Sequence, residues 1–358
     1  MQQPRRLLAD LAPARGIIKS DYEDFVVEEV PRYPFDGDGS HVLFLVEKTG
    51  IGSMQAVNDI ARALGVPRRE IGLAGLKDAR AVSRQWMSLE HADSDRIRAL
   101  TLPRIRIVEV TRHHNKLRLG HLKENRFHIR VRDIDTGRYA DLRNALELLV
   151  RRGVPNYFGE QRFGGSGSNA AVGRALLLRQ DDEAVDLILG RPNEMDHGDV
   201  RRARKAYEAG KFEEALRLWP RMFREQRTLL GILLKRKGDK RRAAFAIDRV
   251  MRRFYISAYQ SELFNRVVET RMPSGLDRLM DGDLAWLHVS GAVFRVESAT
   301  VEQPRADAFE ISPTGPIFGY RMTQPTGEPE RIERETLAAE HLHDDMLKFS
   351  RQFASGGR

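Results

Sequence analysis

The sequence predicts an α+β protein in two parts. Strand-like and helix-like runs alternate through residues 17–132, a mostly helical and basic stretch follows from Pro155 to about Phe264, and β-like character returns over residues 284–296. At 358 residues the chain exceeds the size at which one core is usual, so two domains are expected.

In order, Phe25, Val26 and Val27 open a first strand and residues 42–46 form a second. A helix follows. Ser53 reads as its N-cap, Val57, Ile60, Ala61 and Leu64 recur at helical spacing, and Gly65 suits the left-handed residue that closes it. Two glycines, Gly72 and Gly75, then suggest a loop with a sharp backbone path. Residues 82–89, 105–110 and 125–132 are extended in character. In the last of these Asn125, Phe127, Ile129 and Val131 share one side, while Arg126, His128, Arg130 and Arg132 share the other. One face is therefore apolar with a polar end, and its reverse is basic. Leu142, Ala145, Leu146 and Leu149 mark a further helix closing near Gly153. Ser312-Pro313-Thr314-Gly315-Pro316 reads as a turn, and residues 332–349 as a final amphipathic segment.

Charge and composition narrow the chemistry. Lys and Arg number 60 against 51 Asp and Glu, a net charge of +9, which favours a polyanionic partner over a neutral metabolite. The excess is local, because residues 201–253 hold 18 Lys and Arg against 6 Asp and Glu, densest at Lys235, Arg236, Lys237, Lys240, Arg241 and Arg242. Without cysteine there are no disulfides, thiolate nucleophiles or Cys-ligated zinc. Asp10, Pro13 and Arg15 interrupt the apolar residues of the N-terminus, and no later stretch approaches the roughly 18 apolar residues of a membrane span. No membrane association is expected, and a cytoplasmic address follows by elimination.

The most suggestive segment is Gly72-Leu73-Ala74-Gly75-Leu76-Lys77-Asp78-Ala79-Arg80-Ala81-Val82-Ser83-Arg84-Gln85. It presents Asp78 beside Lys77, Arg80 and Arg84, cations that can hold a carboxylate ionised and ready to act as nucleophile or base. On residue physics alone, an Asp in a Gly-containing turn is more often a turn residue. The run nevertheless resembles the signature of the TruD family of tRNA pseudouridine synthases, and further segments match in order. These are Lys19 with Asp24-Phe25-Val26-Val27-Glu28, then Asn125-Arg126-Phe127, then residues 155–164 (PNYFGEQRFG), residues 257–265 (SAYQSELFN) and residues 312–316. Together they span about residues 17–320.

The resemblance implies a discontinuous pseudouridine-synthase-like catalytic domain with a mixed or antiparallel sheet, residues 1–154 and 306–358, around an inserted helix-rich α/β domain, residues 155–305, with a cleft between them. It implies that Asp78 is the catalytic aspartate, that Phe25, Asn125 and Phe127 contact the target nucleotide, and that Lys19 and Lys77 lie nearby. It further implies that the chain isomerises uridine, at position 13 of transfer RNA, as a monomer without metal or other cofactor. The residue pattern agrees in one respect: Asn125 and Phe127, at i and i+2 of one strand face, can bring an amide and a ring to one base. Family members typically end in strands with an aromatic-Ala-Thr run followed by Arg-Glu, and none follows Arg321. The C-terminal part is expected to be incomplete or diverged, and an RNA-binding protein of the same ancestry with impaired catalysis is the alternative. A metal-dependent nuclease is a weaker one, for want of a clustered acidic motif. Residues 164–169 read as a flexible turn, Glu340, His341, His343 and Asp344 as solvated residues of a charged helix, and His113, His114, His121 and His128 as surface or RNA-facing.

Overall fold

The computed structural model describes residues 7–8, 11 and 14–342. They fall into two compact units, Ala12–Arg143 and a second from Asn144 onward that also takes in Leu7, Leu8 and Leu11.

The first unit is a six-stranded mixed sheet with one long helix. Its strands are β1 (Phe25–Pro31), β2 (His41–Thr49), β3 (Gly72–Leu73), β4 (Val82–Glu90), β5 (Ile105–His113) and β6 (Leu122–Ile129), and its helices α1 (Ser53–Leu64) and the short α2 (Ser94–Arg98). The order is β5-β2-β4-β1-β6, with β3 beside β4. β1 and β4 run parallel, and the other pairs are antiparallel. Alternation decides the two faces. Val42, Phe44 and Val46 of β2 and Met87 and Leu89 of β4 meet Ala56, Val57, Ile60 and Leu64 of α1 in one core. The reverse face buries Leu43 and Trp86 with Leu117. Gly65 is left-handed at φ +72°, as its place after α1 requires.

Register is also fixed by charge. On the reverse face Arg106, Glu47, Arg84, Glu28 and Arg126 stand directly opposite one another across five strands, so cations and anions alternate along the row. Each exposed pair contributes about 1 kcal/mol or less. A one-residue slip of β2 would bring Val46 or Lys48 into the row and turn Glu47 toward the α1 core.

β6 departs from the expected half-covered strand. Residues 123–130 are all exposed, because β6 is an edge and α1 lies over β2 and β4 instead. Gly72 and Gly75 are not among the residues with positive φ, so the expected sharp path is not why glycine stands there. A Cβ on Gly72 would lie 2.4 Å from the Leu117 carbonyl oxygen, and one on Gly75 would lie 2.9 Å from Leu122 Cδ2. Close approach of the neighbouring chain is the reason.

Helix α3 (Tyr139–Arg152) carries the chain from one unit into the other. Helices α4 (Asn169–Leu177), α5 (Asp181–Leu189), α6 (Gly198–Glu208), α7 (Phe212–Leu218), α8 (Arg224–Lys235), α9 (Lys240–Phe245) and α10 (Arg249–Arg271) follow. They close around Val185, Leu189, Trp219, Leu229, Leu230 and Leu233. α10 lies so close to α4 that a Cβ on Gly173 would stand 2.0 Å from the Tyr255 carbonyl oxygen. A small sheet, β7 (Leu284–Leu287), β8 (Val293–Arg295) and β9 (Ile311–Pro313), runs in the order β8-β7-β9, with α11 (Ala299–Asp307) before β9 and α12 (Glu328–Ala339) after it. Ser312 and Pro313 thus end a strand rather than a turn, and proline is tolerated there because β9 is an edge.

Two expected surface groups are not on the surface. The Glu340 carboxylate accepts from Arg174 Nε at 2.8 Å, from Tyr259 Oη at 2.9 Å and from Arg266, so it is a partly buried hub rather than a solvated helix residue. Desolvation alone would raise its pKa, but these three donors outweigh it and hold the group below the ordinary glutamate range. His113 is buried against Asp36 and stacked on Tyr33, and His121 bonds the Tyr33 hydroxyl at 3.0 Å. His343 and Asp344 lie outside the described residues, as do residues 343–349 of the predicted final segment.

Candidate active site

α1 covers the inner face over β2 and β4, β6 stays exposed, and the loop of residues 74–81 reaches buried Glu29 of β1 through Lys77. Polar side chains appear on the inner face where it passes beneath the loop. Lys48 of β2 follows Val42, Phe44 and Val46 in the same alternation, and is fully buried. Its ammonium donates to the main-chain oxygens of Asp78 at 2.8 Å and Ile51 at 2.7 Å, and to Ser83 Oγ at 3.4 Å. Three protons meet three acceptors. Burial pulls this amine down to about 8, against the opposing pull of Asp78.

The rest of the loop is tied down in the same manner. Ser53 does not cap α1, because Gly52 takes that place; its hydroxyl turns inward instead, donating to Gln85 Oε1 at 2.6 Å and accepting from the Lys77 amide at 2.8 Å. The Lys77 ammonium pairs with Glu29 at 2.6 Å, the two side chains being 3 % and 1 % exposed. Glu29 also accepts from the Trp86 amide at 3.2 Å.

Above this anchored backbone the Asp78 carboxylate faces solvent, 57 % exposed. Its partner is Lys19, with Nζ 2.8 Å from Oδ2, and not the Arg84 that sequence proximity suggested. Arg84 is one residue out of phase, so it projects from the reverse face to Glu47 and Glu28, while Arg80 is exposed. Lys19 is left-handed at φ +58°, a conformation that costs a non-glycine residue about 1–2 kcal/mol. Its ammonium also stands 3.9 Å over the Phe25 ring, and Phe25 meets Phe127 edge to face at 5.8 Å. Contacts thus run unbroken from Asp78 through Lys19 and Phe25 to Phe127. Phe127 is 53 % exposed, and Asn125, opposite Glu29 in the register, lies on the same face. Of the six residues singled out in the sequence, Lys77 alone is sealed beneath the loop.

The start of β1 is held to the end of β6 by buried Asp24, whose carboxylate takes Arg132 Nε at 2.7 Å and Nη2 at 2.8 Å. These bonds, and one from the Asp21 amide, hold the group down to about 2 from an ordinary 3.8. A depressed aspartate stabilises the fold above its unfolded value and ceases to do so as pH falls through the folded one. The parent should therefore lose thermal stability between pH 3.8 and about 2 more steeply than Asp24→Asn, which starts lower at neutral pH. Parallel slopes in a Tm-against-pH series would remove this pair from the acid response.

A protein-family model described as tRNA pseudouridine synthase D (TruD) matches residues 4–358. The chain belongs to the TruD family. Among its curated relatives the tRNA pseudouridine synthase D of Geobacter metallireducens is 47% identical over 338 residues, covering 94% of this chain and 83% of the relative. That of Geobacter sulfurreducens is 45% identical with the same coverage. The TruD crystal structure from Methanosarcina mazei superposes with a TM-score of 0.84 over 95% of this chain and 82% of that one, at 24% identity, which bears on the fold alone.

The TruD fold accounts for the α+β character and the mixed sheet expected from sequence. The part that Lys48, Ser53, Glu29, Ser83 and Gln85 play in seating the Asp78 loop was not read there. A signal existed, since Lys48 sits at an inward position of an otherwise apolar strand. Among the described residues there is no cluster of three metal-ligating side chains, and no helix is long and apolar enough to cross a membrane.

Proposed function

We propose that this TruD protein converts uridine 13 of transfer RNA to pseudouridine in the cytoplasm, with Asp78 as the essential carboxylate. One observation carries the reading: the Asp78 side chain is open to solvent while its own backbone is clamped from beneath by a fully buried amine. Such a group is presented to a substrate at no cost of ordering when the substrate arrives. Phe127 offers an exposed ring for a base drawn out of its stack, Asn125 an amide for its edge, and Phe25 supports that ring. Lys19 joins the carboxylate to the Phe25 ring, and Lys77 holds the loop through Glu29. In the same reading residues 155–305 are the insertion, which grips the RNA body.

The reaction breaks the bond between N1 of uracil and C1′ of the ribose, turns the base, and joins C5 to C1′. The proton on C5 leaves and N1 gains one, so nothing is oxidised and no group is lost. That proton supplies the assay. Transfer RNA transcribed with tritium at uracil C5 should release label in proportion to enzyme and time, and a transcript with cytidine at position 13 should release none. Salt-sensitive binding of the transcript without release would instead favour an RNA-binding protein of TruD ancestry that has lost catalysis.

A further inference from the structure

We propose that a notch formed by Arg162 and Arg253 in the helical unit binds a backbone phosphate of the RNA substrate. The cavity has a volume of about 360 Å³. Val250, Arg253, Phe254 and Ser257 line it from α10, spaced three and four residues apart on one face of that helix, and Arg162 enters from the short helical turn Glu160–Phe163. No carboxylate lines it.

The state of Arg162 is the decisive observation. Its guanidinium lies 5.4 Å from the Phe254 ring and 5.9 Å from the Phe158 ring, and it donates through Nε to Ser261 Oγ at 3.2 Å and through Nη2 to Ser257 Oγ. Among the described residues its partners are these hydroxyls and rings, and no acid. Other half-buried arginines of this unit are already committed: Arg152 pairs with Asp277, Arg174 and Arg266 pair with Glu340, and Arg227 and Arg252 donate to main-chain oxygens. A guanidinium fixed by rings and hydroxyls keeps its charge and part of its planar fork for an anion from outside. Arg253, exposed and likewise without an acid partner, adds a second fork at the mouth. A phosphodiester, with one negative charge shared by two free oxygens, suits a cavity lined by two guanidinium groups and no carboxylate. The strongly basic stretch that ends at Arg253 would draw such a polyanion to this face.

The assignment rests on the reading of the chain as a transfer RNA enzyme, and the test separates the two. Binding of an unmodified transfer RNA transcript is measured for the full chain between about 50 and 300 mM KCl, with tritium release followed in parallel. Arg253→Gln should weaken binding about 3-fold or more at the low-salt end and reduce the slope of log K against log salt by about 0.7 to 0.9. KM should rise with kcat unchanged. Arg162→Lys, which keeps the charge and loses the fork, should weaken binding as well. Arg249→Gln, at an exposed position of the same helix but outside the notch, should leave affinity and slope close to the parent's values. Parent-like binding and slope in Arg253→Gln, or an equal loss in Arg249→Gln, would overturn the site even if Arg162→Lys proved unstable. A parent that binds without releasing tritium overturns the enzymatic reading, and the notch is then decided by the slopes alone.

Discussion

Asp78→Asn should lower pseudouridine formation by about 10⁴-fold while transfer RNA binding persists. The substitution is close to isosteric and touches a side chain that is more than half exposed, so packing gives it no route to unfold the protein. The loop is held through the Asp78 main-chain oxygen, which asparagine retains, and through the Lys77 amide and ammonium. What disappears is the oxygen that can act as nucleophile or base, together with the charge facing Lys19. RNA affinity should be unchanged or somewhat tighter, because one negative charge is removed from a surface that receives phosphates. Measurement of tritium release alongside binding reads both quantities. Turnover in Asp78→Asn within tenfold of the parent would remove this residue from the chemistry.

Lys48→Met should cost about 10²-fold in kcat with little change in KM or in global stability. Methionine nearly matches the stem of lysine, so the cavity stays filled, but the Ile51 carbonyl loses the lysine donor and the Asp78 carbonyl keeps only the longer bond from Ser83 Oγ at 3.4 Å. Each buried acceptor left without a partner costs about 1–3 kcal/mol. The opposing effect is that an amine already pulled down to about 8 by burial no longer has to be kept in the interior. These two contributions largely cancel in the free energy of unfolding. They do not cancel at the loop, where the backbone of residue 78 is free to move, and a displacement of about 1 Å is enough for the expected loss. A parent-like kcat in Lys48→Met would show that the loop keeps its place without the amine. A collapse of Tm would show that Lys48 supports the sheet as a whole.

The loop carrying Asp78, the strand pairing Asn125 with Phe127, and Lys19 were all legible in the sequence, as was the family. The roles around them were less so. Arg84 sits closer to Asp78 in sequence than Lys19 does, yet alternation sends it to the other face of the sheet. Ser53 has the chemistry of a cap and stands where one is wanted, but Gln85, 32 residues on, claims its hydroxyl. Glu340 looks like part of a solvated charged helix until Arg174, 166 residues earlier, closes on it.

The sequence by itself determined what depends on near neighbours: strand alternation, helix spacing, the left-handed glycine closing α1, and the motif order that marks the family. Tertiary structure decided which polar groups are buried. A lysine or glutamate enters the interior only where other parts of the chain supply partners for its charge, and most of those partners become neighbours only once the fold has closed.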